Sequence, residues 1–226
     1  AGEGLVLQDG SRSGSWKEYY PDGSLKAEGE YDNGTRTGPW KFYHPNGKTE
    51  QTGKYNKEGK PEGTWRWYYD SGQLLREENY YRGKKDGMSE EYDADGNLIE
   101  KGEYFEGLED GVWFQLIGDF YQRGSYRDGL RTGDWVAYQL QKGDNGTDSL
   151  AIFKGRFLED LPDGKHTYYW DNGKVRDEGS YVIGKKEGNW IKYNYDGTLF
   201  LIISYMNGIE TRYDGVKIKP PFEPEE

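Results

Sequence analysis

The fold is decided by a stretch that reads GPWKFYHPNGKTEQTGKY, from Gly38 to Tyr55. It opens with a β-prone run around Trp40, turns at Asn46-Gly47, and ends in a second β-prone run. Asn-Gly between two such runs is the strongest short-range signal for a β-hairpin, because both residues tolerate positive φ. The stretch therefore predicts a strand, a tight turn and a second strand.

The same pattern recurs along nearly the whole chain. A Gly-x-Trp-x-x-Tyr frame, in some copies with the Trp or Tyr replaced, starts at residues 14, 38, 63, 87, 111, 133, 164 and 188, and residues 4–13 match half a repeat. Successive starts are 24, 25, 24, 24, 22, 31 and 24 residues apart. Self-similarity at a fixed period indicates a repeat architecture. We therefore expect an all-β fold, an elongated single-layer antiparallel sheet of about eight tandem β-hairpin repeats over residues 1–213, followed by a Pro/Glu-rich tail at 214–226.

Composition favours a thin, ring-packed structure over an ordinary globule. Hydrophobic residues make up 33% of the chain, whereas typical domains carry about 45–50% apolar residues with Gly counted. Of the 226 residues, 37 are aromatic (8 Trp, 21 Tyr and 8 Phe) and 34 are Gly. Disordered segments are poor in aromatic residues, so the composition indicates a layer one sheet deep that is held together by packed rings.

The spacing within each repeat predicts an aromatic ladder. Side chains two apart in a strand share a face, so Gly38 is expected beside Trp40, and Gly53 beside Tyr55. A bare glycine leaves room for a ring from the adjacent strand to lie over the backbone. The predicted ladder consists of Trp16, Trp40, Trp65, Trp113, Trp135, Trp190, Tyr31, Tyr55, Tyr104, Tyr126 and Tyr181.

These motifs, Gly-x-Trp-x-x-Tyr followed by Asp/Asn-Gly-x-Leu and Gly-x-Tyr, resemble MORN repeats, and in particular the bacterial variant labelled as YwqK-type antitoxins. The resemblance covers the chain from about Gly4 to Tyr213. It implies a twisted single-layer sheet and a scaffold or lipid-proximal module. A second resemblance, to choline- and glucan-binding repeats, rests on the aromatic triplets at 67–69 and 168–170, but the 24-residue period is typical of MORN repeats.

Several residues are candidates for binding. Ser89 and His166 stand in Trp slots, so we expect a locally weak ladder or a groove beside them. His166 is also interpretable as a substituted stacking ring. Trp67, Tyr69 and Trp170 are candidate sugar platforms.

The interval of 31 residues between the frames at 133 and 164 is the longest. Residues Gln141 to Asp148 fill the difference, and we expect them to form an enlarged hairpin loop between the strands near Trp135 and Phe153. Loops on rigid scaffolds often carry recognition. The loop is therefore a second candidate contact site, with a tolerated insertion as the alternative.

The chain lacks the residues of common catalytic sites. It has no Cys and two His, and no Ser-His-Asp or Cys-His motif is recognisable. Asp93 to Asn97 does not match a calcium loop, because its Gly is fourth and not sixth. We expect a protein that is not an enzyme and that binds no cofactor or metal.

Charge and hydropathy limit the classes of partner that the chain could bind. The net charge of −11 lacks the basic face that phosphate binding needs, so we expect no nucleic-acid partner. No apolar run approaches the roughly 18 residues of a membrane span. We expect a non-catalytic scaffold for protein–protein interaction, or alternatively carbohydrate or cell-envelope binding through aromatic platforms. Flat, solvent-exposed rings would favour glycans. Because Ala1 is not preceded by Met, we expect export to the periplasm or cell surface after loss of a signal peptide, with the cytoplasm as the alternative.

Overall fold

A computed structural model describes residues 2–143 and 146–217. These residues form β-strands and turns, and none of them is helical, so no helix among them could cross a membrane. The chain divides into two compact units, Ala1–Glu109 and Asp110–Glu226, called unit 1 and unit 2 below. The predicted all-β fold of tandem antiparallel hairpins is confirmed in both units.

Unit 1 is an antiparallel sheet in which each strand pairs with its neighbour in the sequence. The strands are β1 (Gly2–Val6), β2 (Arg12–Tyr19), β3 (Leu25–Asp32), β4 (Thr35–Tyr43), β5 (Thr49–Tyr55), β6 (Pro61–Tyr68), β7 (Leu74–Tyr81), β8 (Lys84–Tyr92) and β9 (Leu98–Phe105).

Unit 2 follows the same pairing rule. Its strands are β10 (Leu108–Ile117), which begins at the end of unit 1, then β11 (Phe120–Arg127), β12 (Leu130–Gly143), β13 (Gly146–Leu158), β14 (Leu161–Tyr169), β15 (Val175–Val182), β16 (Lys185–Tyr193), β17 (Leu199–Met206), β18 (Ile209–Tyr213) and β19 (Val216–Lys217).

Two kinds of turn recur along each sheet. Between β2 and β3 the Asp22-Gly23 turn is closed by the Gly23 amide, which donates to the Tyr20 carbonyl at 3.0 Å, as the Asp-Gly signal predicts. Between β3 and β4 the two-residue turn Asn33-Gly34 has φ of 47° and 82°. Positive φ at both positions gives the type I′ twist that matches twisted strands.

The first glycine of the Gly-x-Trp frame has a role other than the predicted one. Gly38 has a φ of 66° and lies in a bulge, since Glu28 pairs with Lys41 while Glu30 pairs with Thr37. It is therefore not beside the ring as a flat strand would place it. The bulge instead swings Trp40 over the preceding strand, and it recurs at the equivalent positions of β6, β12 and β16.

The 31-residue interval lengthens two strands instead of enlarging a loop. β12 and β13 stay paired through Gln141 with Asp148 as far as Gly143 with Gly146, and residues 144–145, which connect them, lie outside the described residues. The expected enlarged loop is thus a two-stranded ribbon. Of the tail predicted at 214–226, only residues 214–217 are described, and they include β19, which pairs with β18.

Candidate functional site

The front face, defined as the face that carries Trp40, holds alternating Trp and Tyr rings in unit 1. Consecutive rings meet edge to face with centroids 4.9–6.4 Å apart, in the order Trp16, Tyr31, Trp40, Tyr55, Trp65 and Tyr80. Trp40 and Trp65 are each only 2% exposed. Edge-to-face pairs add roughly 0.5–1.5 kcal/mol each beyond the burial of their area. The structure therefore brings the predicted ladder residues of unit 1 together, and Tyr104 lies on the same face, capped by Lys85.

Unit 2 repeats the ladder with two substitutions. Its consecutive rings are Trp113, Tyr126, Trp135, Phe157, His166, Tyr181, Trp190 and Tyr205, with centroids 4.8–6.4 Å apart. Sequence reasoning omitted Tyr80, Phe157 and Tyr205. Their signal was present in relaxed forms of Gly-x-Tyr, namely Glu-Asn-Tyr, Gly-Arg-Phe and Ile-Ser-Tyr.

Five of the ladder indoles lie directly on a glycine of the preceding strand, whereas the indole N–H of Trp113 donates to the Asp110 carbonyl in its own strand. A Cβ added to Gly29 would stand 2.3 Å from Cδ2 of Trp40, and one added to Gly53 would stand 2.1 Å from Cδ2 of Trp65. The indole N–H then donates to the carbonyl of the residue after that glycine, as from Trp40 to Glu30 at 3.1 Å. The same bond forms at Trp16, Trp65, Trp135 and Trp190.

A row of cations covers the ladder from the solvent side. The residue four before the Trp slot places its charge over the ring: Arg12 over Trp16, Arg36 over Trp40, Arg131 over Trp135 and Lys186 over Trp190, at 4.4–5.9 Å from the centroid. Cation–π contacts of this kind contribute about 0.5–1 kcal/mol at exposed sites. No motif in the sequence analysis indicated this row, although the four-residue spacing is visible in the sequence.

In the first two repeats a carboxylate joins the cations. Burial of Glu18 opposes its ionisation, but the hydrogen bond from Tyr31 and the Arg36 guanidinium outweigh burial and hold its pKa below the usual value. Arg12 contacts the same carboxylate at 2.8 Å. The front face is therefore a closed network of rings, cations and acids.

Ser89 does not leave a vacant ring slot. It is 3% exposed and pairs across the strands with Glu78, itself 2% exposed, which stands where other repeats have glycine. Lys85 Nζ lies 2.8 Å from Glu78 Oε1, and the Tyr80 hydroxyl donates to Oε2 at 2.5 Å. The carboxylate thus takes the place of the indole, and the groove expected beside Ser89 is filled.

His166 acts as a small replacement for tryptophan. It is 1% exposed and its Nε2 lies 2.7 Å from the Arg156 carbonyl, in the position of the indole N–H bond. A carbonyl can only accept, so Nε2 carries the proton. Nδ1 is buried without a hydrogen-bond partner and faces Gly155. Burial lowers the pKa of His166, which favours the neutral ring. The expected groove is closed here by Phe153, whose ring lies 5.4 Å from the imidazole.

The three candidate sugar platforms are half-buried and occupied by other contacts. Trp67 lies 6.1 Å from Trp65 and 4.9 Å from the Arg76 guanidinium. The Tyr69 hydroxyl donates to the Tyr92 carbonyl, 23 residues further along, at 2.9 Å. Trp170 Nε1 makes the equivalent bond to the Tyr193 carbonyl at 3.3 Å.

The bonds made by Tyr69 and Trp170 belong to a series that connects successive repeats. In each bond a side chain just before a turn, at the hairpin tip, reaches a backbone carbonyl at the tip of the next hairpin. The Tyr20 hydroxyl donates to the Tyr43 carbonyl at 2.7 Å, and His44 Nε2 lies 2.8 Å from the Tyr68 carbonyl. This role was not predicted for any of the four, and Tyr69 and Trp170 were instead expected to be sugar platforms. Their regular spacing is the signal that could have found them.

The back face, opposite the ladder, differs between the two units. In unit 1 its central row is mostly charged and runs Lys17, Glu28, Lys41, Thr52, Arg66, Glu77, Glu90 and Lys101 across eight strands. An open groove of about 800 Å³ lies there and is lined by Lys17, Glu28 and Lys41 among others. The matching row of unit 2 carries Phe114, Val136, Ile191 and Ile202 beside fewer charges.

The titrating groups of the back face show structural pairing. Burial and the hydrogen bond to Glu28 raise the pKa of Tyr43 to about 12. Among the described residues no group of three or more His, Asp or Glu side chains could hold a metal ion. The back face therefore offers a partner an extended set of contacts with regularly spaced side chains.

Comparison with protein families agrees with the repeat architecture. The model of the MORN repeat variant family matches residues 12–33, 36–57, 61–80, 85–106 and 162–182. No curated protein matches. Among solved structures, "Crystal Structure of TcdB2-TccC3-TEV" aligns with 88% of this chain and 13% of that chain, at 11% identity and a TM-score of 0.18. Five stretches of this chain are matched by the MORN repeat variant family, and the hairpins between and beyond them repeat the same strand, turn and ladder geometry.

Proposed function

We propose that the protein is a non-catalytic scaffold that binds other proteins through its sheet faces. The observation that carries the proposal is a difference between the two faces of the sheet. The front face is closed by its own rings, cations and carboxylates, whereas the back face of unit 1 presents a row of mostly charged side chains at one strand spacing after another, some of them paired with their cross-strand neighbours. Rows of this kind suit a partner that makes extended contact.

The MORN repeats support this class of function, because such repeats are commonly modules for interaction with proteins or membranes. An antitoxin-like role would be one form of it, in which the partner is a protein toxin. Export to the periplasm or cell surface is part of the same proposal, and it would place the back face among envelope or secreted partners.

Carbohydrate binding has less support. Sugar platforms need a ring face that is open to solvent, yet the ladder rings turn their edges and faces to one another. Trp67 is half-buried and contacts Trp65 and Arg76, and the back-face rings Tyr121 and Tyr138 are stacked on each other at 4.8 Å.

The test is capture of partners by the immobilised full chain, followed by reconstitution of binding with each purified candidate in a calorimeter. Saturable binding to a purified protein supports the proposal. If no candidate protein binds when purified, while a glycan array gives saturable binding that is lost in Trp67→Ala or Trp170→Ala, the proposal is wrong and the carbohydrate alternative replaces it.

A further inference from the structure

One line of side chains crosses six consecutive strands of unit 2 on the back face, close to the two-residue turns. It runs Arg127 on β11, Leu130 on β12, Leu158 on β13, Leu161 on β14, Val182 on β15 and Lys185 on β16. We call these six residues the apolar row. Cross-strand pairing joins Arg127 to Leu130, Leu158 to Leu161, and Val182 to Lys185.

The four apolar members lie on four consecutive strands, and Leu158 pairs with Leu161. Leu130 and Leu158 line one cleft of about 100 Å³, and Leu161 approaches Gly184, next to the turn residue Ile183. Their exposed fractions lie between 40% and 53%. Single exposed apolar residues are ordinary, but contiguous ones mark interaction sites.

A cation lies at each end of the row, and beyond Lys185 the same line continues with the exposed pair Met206 and Ile209. Within the described part of the chain, Arg127 and Lys185 make no ion pair, in contrast to Arg131 and Lys165 nearby, which pair with Asp160 and Glu178. The turn carboxylates Asp128 and Glu159 border the row on its outer side. A partner would therefore meet positive charge at the two ends and negative charge along one flank.

The spacing of the row selects a helix over an extended strand. Neighbouring strands are about 4.8 Å apart, so the four apolar residues recur at nearly the 5.4 Å pitch of an α-helix. Same-face side chains of an extended segment recur about every 6.6–6.8 Å, so they would not stay aligned with residues that recur at the strand spacing. From Arg127 to Lys185 the row spans about 24 Å, or about 16 residues of helix.

We propose that the apolar row is a docking site for an amphipathic helix of a partner protein, with an apolar face about three turns long and an acidic residue at each end. The proposal rests on the scaffold function and names the chemistry of the partner. Leucine and valine bury the apolar face of the helix, and Arg127 and Lys185 pair with its terminal carboxylates, which sets its position along the row.

The probe is an 18-residue fluorescein-labelled helical peptide with leucines on one face and a glutamate at each end of that face. Two comparison peptides carry lysines at those ends, or the same residues in scrambled order. We expect the glutamate-ended peptide to bind the full chain about tenfold more tightly than the lysine-ended one at low salt, since two charge pairs of modest strength are exchanged for two repulsions. The preference should shrink as salt rises.

Variants locate the binding. Leu158→Ser/Leu161→Ser should weaken binding of the glutamate-ended peptide at least tenfold or so, and Arg127→Glu/Lys185→Glu should reverse the preference between the two peptides. The matched control is Leu5→Ser/Val6→Ser, two exposed apolar residues on β1 in unit 1, which should leave affinity unchanged. Circular dichroism verifies that each variant is folded.

Equal affinity for the two end-charged peptides, or an equal loss in the control variant, overturns the proposal. It is also overturned if Leu158→Ser/Leu161→Ser instead dissociates a dimer of the chain in sedimentation, or abolishes binding to phosphatidylcholine vesicles while no peptide binds. If a purified partner from the capture experiment binds this variant as well as the natural chain, the scaffold function stands and the apolar row is not its site.

Discussion

Glu78 pairs across the strands with Ser89, and together they occupy the place that a glycine and a tryptophan occupy in neighbouring repeats. The two substitutions compensate in volume: the strand that lost its ring faces a strand that gained a side chain. Arg76, Tyr80 and Lys85 surround the carboxylate. A buried carboxylate requires such partners, because an uncompensated charge in this position would be strongly destabilising.

Ser89→Trp alone should destabilise unit 1, because the indole has to enter space that Glu78 already fills. Overpacking costs about 1–3 kcal/mol, so the melting temperature should fall. Glu78→Gly/Ser89→Trp recreates the usual pair and should recover most of that loss. A double-mutant cycle by thermal or urea unfolding measures the coupling. A rise in the melting temperature for the single Ser89→Trp variant would show that the slot is vacant after all.

Gly53→Ala should cost about 2 kcal/mol or more, since core overpacking and a shifted ring add together. The new Cβ would lie 2.1 Å from Trp65, inside any tolerable contact. Lys54→Ala, at the next residue on the exposed back face, is the matched control and keeps the backbone carbonyl that accepts from Trp65. Urea unfolding compares the two. Similar midpoints for both variants would contradict close ring–glycine packing.

Trp65→Ala should cost more than Trp16→Ala. Trp65 is 2% exposed and has Tyr55 and Tyr80 as ring partners, whereas Trp16 is 7% exposed and contacts Tyr31. Truncation of a fully packed Trp costs about 3–5 kcal/mol, and we expect Trp65 near the low end of that range and Trp16 below it. Equal losses in unfolding free energy would argue against a cooperative ladder.

Stability should fall between pH 7.5 and pH 5 because of His166. Burial lowers its pKa in the folded chain, so the unfolded chain binds the proton more readily, and stability is lost as the pH drops below the unfolded value near 6.5. Protonation would also place an N–H at Nδ1, which has no acceptor. His166→Gln should flatten this pH dependence of the urea midpoint, and His44→Gln is the control for the other histidine. An unchanged slope in His166→Gln would rule out His166 as its source.

Replacing Gln141 to Asp148 by a two-residue Asn-Gly turn should leave cooperative unfolding intact. β12 pairs with β11 only as far as Gln139, and β13 pairs with β14 only from Phe153 onward, so the extension is a ribbon without a third strand. An isolated two-stranded hairpin is marginally stable at best, and its removal should change the unfolding free energy little. Loss of the cooperative transition would show that the ribbon supports the sheet.

The regular parts of the structure were predictable because they follow from periodicity. The strands, the Asp-Gly and Asn-Gly turns and the Trp–Tyr ladder are each specified within one repeat. The bulge at Gly38 was not predictable in this way, since an extended strand and a bulged one share the same letters and differ in φ. The role of Glu78 was not predicted, because it depends on Ser89, which lies eleven residues later in the sequence and in the next repeat.

The hairpin-tip bonds were also missed, and for a related reason. Each links a side chain to a carbonyl about one repeat away, as Tyr20 is linked to Tyr43, so a motif read within a single repeat does not contain both partners. The cation row lies within single repeats, four residues before the Trp, but a charge at that position reads as an ordinary solvated residue until the structure places it over the ring. The sequence predicted that the sheet would offer a binding surface, but it did not predict the apolar row. The composition of that row depends on which residues of six strands share a face.

The seating of an indole on a glycine of the preceding strand, as at Trp40 and Trp65, has an evolutionary consequence. The glycine is encoded in one repeat and the ring that covers it in the next, so neither repeat is self-sufficient. Duplication or loss of a segment preserves the packing only when its two breakpoints fall at the same position within their repeats. Any position in the repeat satisfies this condition. Gly53 with Trp65 survives such an event in any order. Glu78 with Ser89 does not, because a break between them leaves a carboxylate beneath an indole on one side and a glycine facing a serine on the other. That pair has to be inherited together, and it marks a junction where this lineage of repeats can no longer be freely shuffled.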